Sequence, residues 1–169
     1  MPTNIFFRPV KKILSSTGVD YLWTPSGVSG TAWQSPAIDC EAAAGLLYPE
    51  LTLTLAFQLA AAGTKWAGIE VWLAWSDVID SGYTSRGITG AAGAWSPTGG
   101  VADNKLNLES LGVWLNPGSN SNEVPQVIGV AQVRKKYLVI VLVNNTAANH
   151  GSTATNQYGD IVFSHLQAQ

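Results

Sequence analysis

The stretch Lys135–Thr146, "KKYLVIVLVNNT", decides how the rest of the chain is read. From Tyr137 to Val143 every residue is apolar or aromatic. In a strand successive side chains point to opposite faces, so this strand is apolar on both. A strand of that kind sits centrally and needs cover on each side. One face, Tyr137, Val139, Val141 and Val143 or else Leu138, Ile140 and Leu142, fills the core between two sheets. The other is covered by the long loops, by the N-terminal segment or by another subunit.

Outward from this strand the dominant period is two. In "ELTLTLAFQL" Leu51, Leu53, Leu55, Phe57 and Leu59 alternate with Thr52, Thr54 and Gln58, which is the pattern of a half-buried strand. "AAAGTK" offers a turn, and "WAGIEVWLAWS" returns with Ile69, Val71, Leu73 and Trp75 on one face. The two segments predict an antiparallel hairpin. Further strands are expected at 11–15, 20–24, 110–115, 127–133, 137–143 and 160–166. In "LNLESLGVWLN" the apolar phase shifts from even to odd, which predicts a bulge or turn near Ser110. The helical candidate is Cys40–Leu47, short and interrupted by Gly45, so two turns at most. Many short strands separated by Gly, Pro and Asn predict one all-β domain over residues 1–169. About eight such strands suit an antiparallel sandwich or a barrel rather than an α/β fold. Residues 1–50 are expected to add an N-terminal arm or an extra strand pair.

Two long gaps interrupt the strands, Ser81–Asn104 and Asn144–Gly159. Loops of this length are uncommon in compact domains and often carry function. Residues 87–102 hold no formal charge but include Ile88 and Trp95. Two readings stand open for them: a surface lying against another protein, or a Gly-rich hairpin folded back on its own sheet.

The chain has 169 residues, 46% hydrophobic and 12% charged, with a net charge of −2. Globular chains carry about 25% charged residues. The deficit points to surface that meets protein, and the charge balance offers no case for nucleic acid or an anionic membrane. No stretch approaches the roughly 20 apolar residues of a membrane helix. Arg8, Lys11 and Lys12 interrupt the N-terminal apolar residues, against a secretory signal. Asn144-Asn145-Thr146 matches a glycosylation acceptor and, without such a route, is read as chance. Basic residues cluster at Arg8/Lys11/Lys12 and at Arg134/Lys135/Lys136; the second cluster, just before the apolar strand, is read as a solvated strand entrance or an edge guarded against aggregation, with an acidic protein surface as the other reading.

Chemistry-bearing patterns are sparse. His150 and His165 lack metal-ligand spacing, so neither a metal nor any other cofactor is expected. Cys40 lies between Asp39 and Glu41, whose charges oppose a thiolate. Asp77 and Asp80 read as turn residues rather than a glycosidase pair or calcium ligands. No nucleophile elbow, phosphate loop or dinucleotide fingerprint occurs. The chain is therefore not expected to be an enzyme. Seven tryptophans are many for this length. Trp75 is expected in the core, and Trp66 and Trp72 on the opposite face with Glu70. Aromatics on an exposed sheet face suit protein interfaces or sugar stacking. The interface candidates are Trp66, Trp72, Ile88, Trp95, Leu138, Ile140 and Leu142.

The order "NLESLGVWL", then "VIGVAQVRKKYLVIVLVNNTAAN", then "DIVFSHL" resembles small capsid cement or decoration proteins of tailed phages. The earlier "WAGIEVWLAWSDV" with its Gly-rich sequel is similar, so the resemblance runs from Leu51 onward. It is carried by strand order and texture, not by a fixed motif. It implies an antiparallel, jelly-roll-like β-sandwich of about eight strands and a non-enzymatic virion protein, assembled in the host cytoplasm. Its partner would be the major capsid protein or another virion protein, and it would associate as a dimer or trimer. A tail or head-fibre subunit is the near variant. A lectin-like sandwich using Trp66, Trp72 or Trp95 is the other class.

Overall fold

A computed structural model describes residues 5–7, 9–15, 18, 20–23, 25, 30–43, 46–59, 64–79, 88–118, 124–149, 157–164 and 166–168. Two sheets face one another. The first runs in the order β10 (Gly93–Ala94), β4 (Ala32–Gln34), β13 (Tyr137–Asn144), β9 (Gly68–Ser76), β11 (Glu109–Leu115), with β5 (Ile38–Asp39) also on β13. The second runs β12 (Gln126–Gln132), β8 (Glu50–Ala56), β14 (Tyr158–Ser164), β2 (Val10–Ser15), β3 (Tyr21–Leu22). Pairing in both is antiparallel except for the short parallel contact of β2 with β3. β1 (Ile5–Phe7) pairs with β15 (Leu166–Ala168), beyond the β2–β14 pair. The chain is thus an all-β sandwich.

β4 and β5 are one strand interrupted. Both pair with the same edge of β13. Pro36 between them has no N–H to give to the ladder. The Ser35 hydroxyl fills the break by accepting from the Ile140 N–H at 2.9 Å. With β4/β5 counted as one, the pairings nest. β2 joins β14, β4/β5 joins β13, β8 joins β12, and β9 joins β11. Residues 1–50 therefore supply strands to both sheets.

The core lies between the sheets. Ile69, Val71, Leu73, Leu138, Ile140 and Leu142 come from one side, and Leu14, Leu51, Leu53, Leu55, Ile161 and Phe163 from the other. Aromatic edges close one part of it: Phe57 and Trp114 meet at 5.4 Å and 87°, Trp23 and Phe57 at 6.1 Å and 71°. T-shaped pairs of this kind favour one arrangement over many.

Two expectations need correction. β8 and β9 do not form a hairpin; they lie in opposite sheets. Phe57 and Leu59 follow β8 into the core, so the chain arches across the sandwich instead of turning back beside itself. The two alternating faces then meet across the core. The Cys40–Leu47 helix is absent from the described residues. β6 (Glu41–Ala43) and β7 (Leu46–Leu47) pair there instead. Tyr48 N–H donates to Cys40 O at 3.1 Å and Cys40 N–H to Lys136 O at 2.7 Å. A segment this short cannot repay helix nucleation, whereas these bonds tie its two ends together and hold Cys40 at the start of β13. The phase shift near Ser110 is a register break between Ser110 and Gly112.

Candidate interaction surfaces

The outer face of β13 is covered from within the chain. Val139, Val141 and Val143 form a second apolar cluster with Ala32, Ala74, Ile88, Trp95 and Leu108. The last three come from residues 88–108, which fold back over the first sheet. Backbone bonds stitch this cover down: Trp95 N–H to Ala32 O at 3.0 Å and Ala37 N–H to Gly90 O at 2.9 Å. Thr89 N–H adds a bond to the buried Gln34 Oε1 at 3.0 Å. Its short helix α1 (Val101–Lys105) ends on a polar hub. Glu70 Oε2 accepts from Lys105 Nζ at 2.6 Å and from Trp72 Nε1 at 3.0 Å. Glu70 Oε1 accepts from Asn145 Nδ2 at 2.9 Å. Burial opposes the Glu70 charge, but these hydrogen bonds and the Lys105 charge outweigh it and hold the carboxyl below its usual value.

Five of the seven interface candidates are therefore interior. Leu138, Ile140 and Leu142 are 0–1% exposed in the main core, and Ile88 and Trp95 are 2% and 1% exposed beneath the cover. They are spent on the chain's own packing and offer no surface to a partner. Of the two readings of residues 87–102, the described part follows the fold-back. Trp72 is half-buried, its N–H held by Glu70 and its ring under Lys105 Nζ at 5.6 Å. Trp75 is also half-buried, donating to Glu109 Oε2 at 2.7 Å.

Trp66 alone of the seven is exposed, at 65%. It does not lie on β9 beside Trp72 but in the turn before it. Ala67 N–H closes that turn on Thr64 O at 3.1 Å. Trp66 takes φ 68°, a conformation usual for glycine at the third position of a turn. For a bulky side chain this costs about 1–3 kcal/mol and needs a frame that enforces it. The frame is buried and polar. Trp66 N–H donates to Asn116 O at 2.9 Å, and Asn116 Nδ2 donates to Thr64 O at 3.0 Å. Thr64 N–H donates to Thr146 O at 2.8 Å. Thr146 is itself held by Asn144 Oδ1 at 2.7 Å. Next to Thr146 stands Ala147, φ 60°, the other non-glycine residue of positive φ among the described residues.

Further apolar side chains stay exposed on the two edge strands that close the sandwich: Val113 and Leu115 on β11, Val127 and Val130 on β12. They are not among the interface candidates that the sequence suggests. The signal was present, since "GVWL" and "VIGVAQ" put apolar residues on both faces. Nothing local says that these strands are edges.

In the two basic clusters Lys11 pairs with Asp160 at 2.8 Å, Arg134 with Glu109 at 3.1 Å, Lys135 with Asp77 at 2.9 Å and Lys136 with Glu41 at 2.8 Å. Lys12 donates to the Asp39 carbonyl, tying the second sheet to the first. Burial pushes the Cys40 thiol up to about 12; the Lys12 charge pulls against it and the Asp39 charge adds to it, each by less than burial. Among the described residues no group of three or more His, Cys, Asp or Glu is placed to hold a metal ion. Arg8, Asp80, His150 and His165 lie outside the described residues. No protein-family model matches the chain, and no curated protein matches it.

Proposed function

We propose that this protein is a non-enzymatic structural subunit of a phage virion, a cement or decoration protein that binds the capsid lattice through protein contacts. The observation that carries the reading is where exposed apolar surface survives folding. Among the described residues it includes Val113, Leu115, Val127 and Val130 on the edge strands β11 and β12 and Trp66 in its turn, with Leu22, Leu46, Leu47, Val78, Ile79 and Leu106 exposed elsewhere, in a chain with only 12% charged residues. Low charge with aromatic and aliphatic exposure suits a protein interface. The nested pairing supports reading the sandwich as a jelly roll, an architecture that capsid and lectin domains share. Fold alone does not choose between them. The partner on this reading is the major capsid protein, and the subunit associates with its own copies as a dimer or trimer. Repetition around a lattice axis then multiplies modest contacts into firm attachment. A tail or head-fibre subunit uses the same physics at another site on the particle.

The test is co-sedimentation of the purified chain with shells of the parent virion assembled without it, alongside its mass by light scattering. Saturable binding and a dimer or trimer are expected. A monomer with no affinity for shells contradicts the proposal. The lectin-like alternative draws on the exposure of Trp66, and a broad glycan panel read by tryptophan fluorescence addresses it.

A further inference from the structure

We infer that the 64–67 turn is a preorganised docking knob. Its Trp66 ring seats in an apolar, carboxylate-rimmed pocket on the protein partner. The inference rests on the proposed function and gives the contact a residue and a chemistry.

Four observations converge on it. Trp66 is 65% exposed and holds an unfavourable positive φ, so the side chain is displayed at a cost to the fold. The frame beneath it is fixed by hydrogen bonds to the buried Asn116 and Thr146, and holding an anchor in place before binding removes an ordering cost. Tryptophan is among the residues that most often dominate interface energy. The surroundings favour protein over sugar. Leu115 pairs with Gly68, two residues beyond Trp66, and is 41% exposed, with Val113 at 45%. Asn116, Asn144 and Thr146, the amides and hydroxyl that a sugar would want, are buried and engaged in the frame. The expected carboxylates follow from Lys65. Its stem lies against Gly118 and its Nζ stands 5.1 Å from the Trp66 ring centroid, so the knob presents a cation beside its aromatic plate.

Trp66→Ala, Trp66→Gly, Lys65→Glu and, as a control, Leu106→Ala are compared with the native chain in shell co-sedimentation. Leu106 is 75% exposed and is not part of the turn. Both Trp66 variants are expected to weaken binding at least tenfold, Lys65→Glu about threefold. Leu106→Ala should stay within twofold. Trp66→Gly should melt at or above the native temperature, because glycine accepts the positive φ without strain. If the native chain does not bind shells, the proposed function fails and this inference falls with it. If it binds and Trp66→Ala binds equally well, the inference alone is overturned. Binding loss matched by a fall in melting temperature in both Trp66 variants would reduce Trp66 to a structural role. Glycan-dependent quenching that Trp66→Ala abolishes, with shell binding unchanged, would assign the turn to a sugar instead.

Discussion

Gly112 on β11 and Gly129 on β12 face each other across the seam where the two sheets meet. A Cβ on Gly112 would stand 2.6 Å from the Ile128 carbonyl oxygen, and one on Gly129 would stand 2.8 Å from that of Leu111. Both glycines sit at register breaks, in β11 against β9 and in β12 against β8. The paired bulges bend two edge strands toward each other until backbone meets backbone. Gln126 then seals the gap, accepting from Leu115 N–H at 3.0 Å and donating to Leu115 O at 2.7 Å.

Either glycine replaced by alanine drives a methyl group into a carbonyl that cannot rotate away. Gly112→Ala and Gly129→Ala are each expected to cost about 1–3 kcal/mol in urea unfolding. Val113→Ala, on the exposed face of the same strand, should fall within about 0.5 kcal/mol of native. Equal stability of all three variants would remove the close approach from the account.

The Glu70 hub predicts a pH dependence with a definite sign. Its carboxyl is held below the ordinary value of 4.5, so the folded chain binds its proton less readily than the unfolded one. The stabilisation is fully present above about pH 5 and is lost as pH falls through the lowered folded value. Glu70→Gln should flatten that acid limb, and Glu70→Ala should cost about 2 kcal/mol at pH 7. Urea midpoints between pH 2 and 7 read both effects. An acid limb unchanged in Glu70→Gln contradicts the hub.

Cys40 should be chemically silent in the folded chain. With its thiol near 12 and its side chain buried, almost no thiolate exists at pH 8. A thiol reagent at that pH should label it only after denaturant is added. Rapid labelling of the native chain would place Cys40 nearer the surface.

Removing Trp95 tests what the cover is worth. Trp95→Ala is expected to cost about 3–5 kcal/mol, to expose the outer valines of β13, and to raise binding of a hydrophobic dye. If the native chain already bound the dye and lost it only on self-association, the cover would come from a second copy.

Much of the fold was legible locally. The alternation in β8, the phase break at Ser110 and the double-sided apolarity of β13 each report which side chains are buried, and each does so within one strand. Which sheet a strand joins is a long-range matter. The same Leu51–Leu55 face serves a hairpin or an arch equally well, and Phe57 and Leu59, carried on into the core, decide for the arch. The cover was ambiguous for the same reason. Ile88 and Trp95 sit in a chargeless loop whose sequence suits its own sheet as well as a neighbour's. β4 and β5 were hidden because Pro36 breaks their pattern, a gap that Ser35 repairs only in three dimensions. The sequence places Trp66 on the outer face of β9; that it stands instead in a turn, with a positive φ and a polar frame, depends on Asn116 and Thr146, some 50 and 80 residues further along.

The most direct test of the account is hydroxyl-radical footprinting of the chain, free and bound to shells, read residue by residue. In the free chain Ile88 and Trp95 should resist oxidation, while Trp66, Val127 and Val130 react. On shells Trp66 should become protected, with Ile88 and Trp95 unchanged. Oxidation of Ile88 and Trp95 in the free chain, lost only on assembly, would contradict it: the outer face of β13 would then belong to a partner after all.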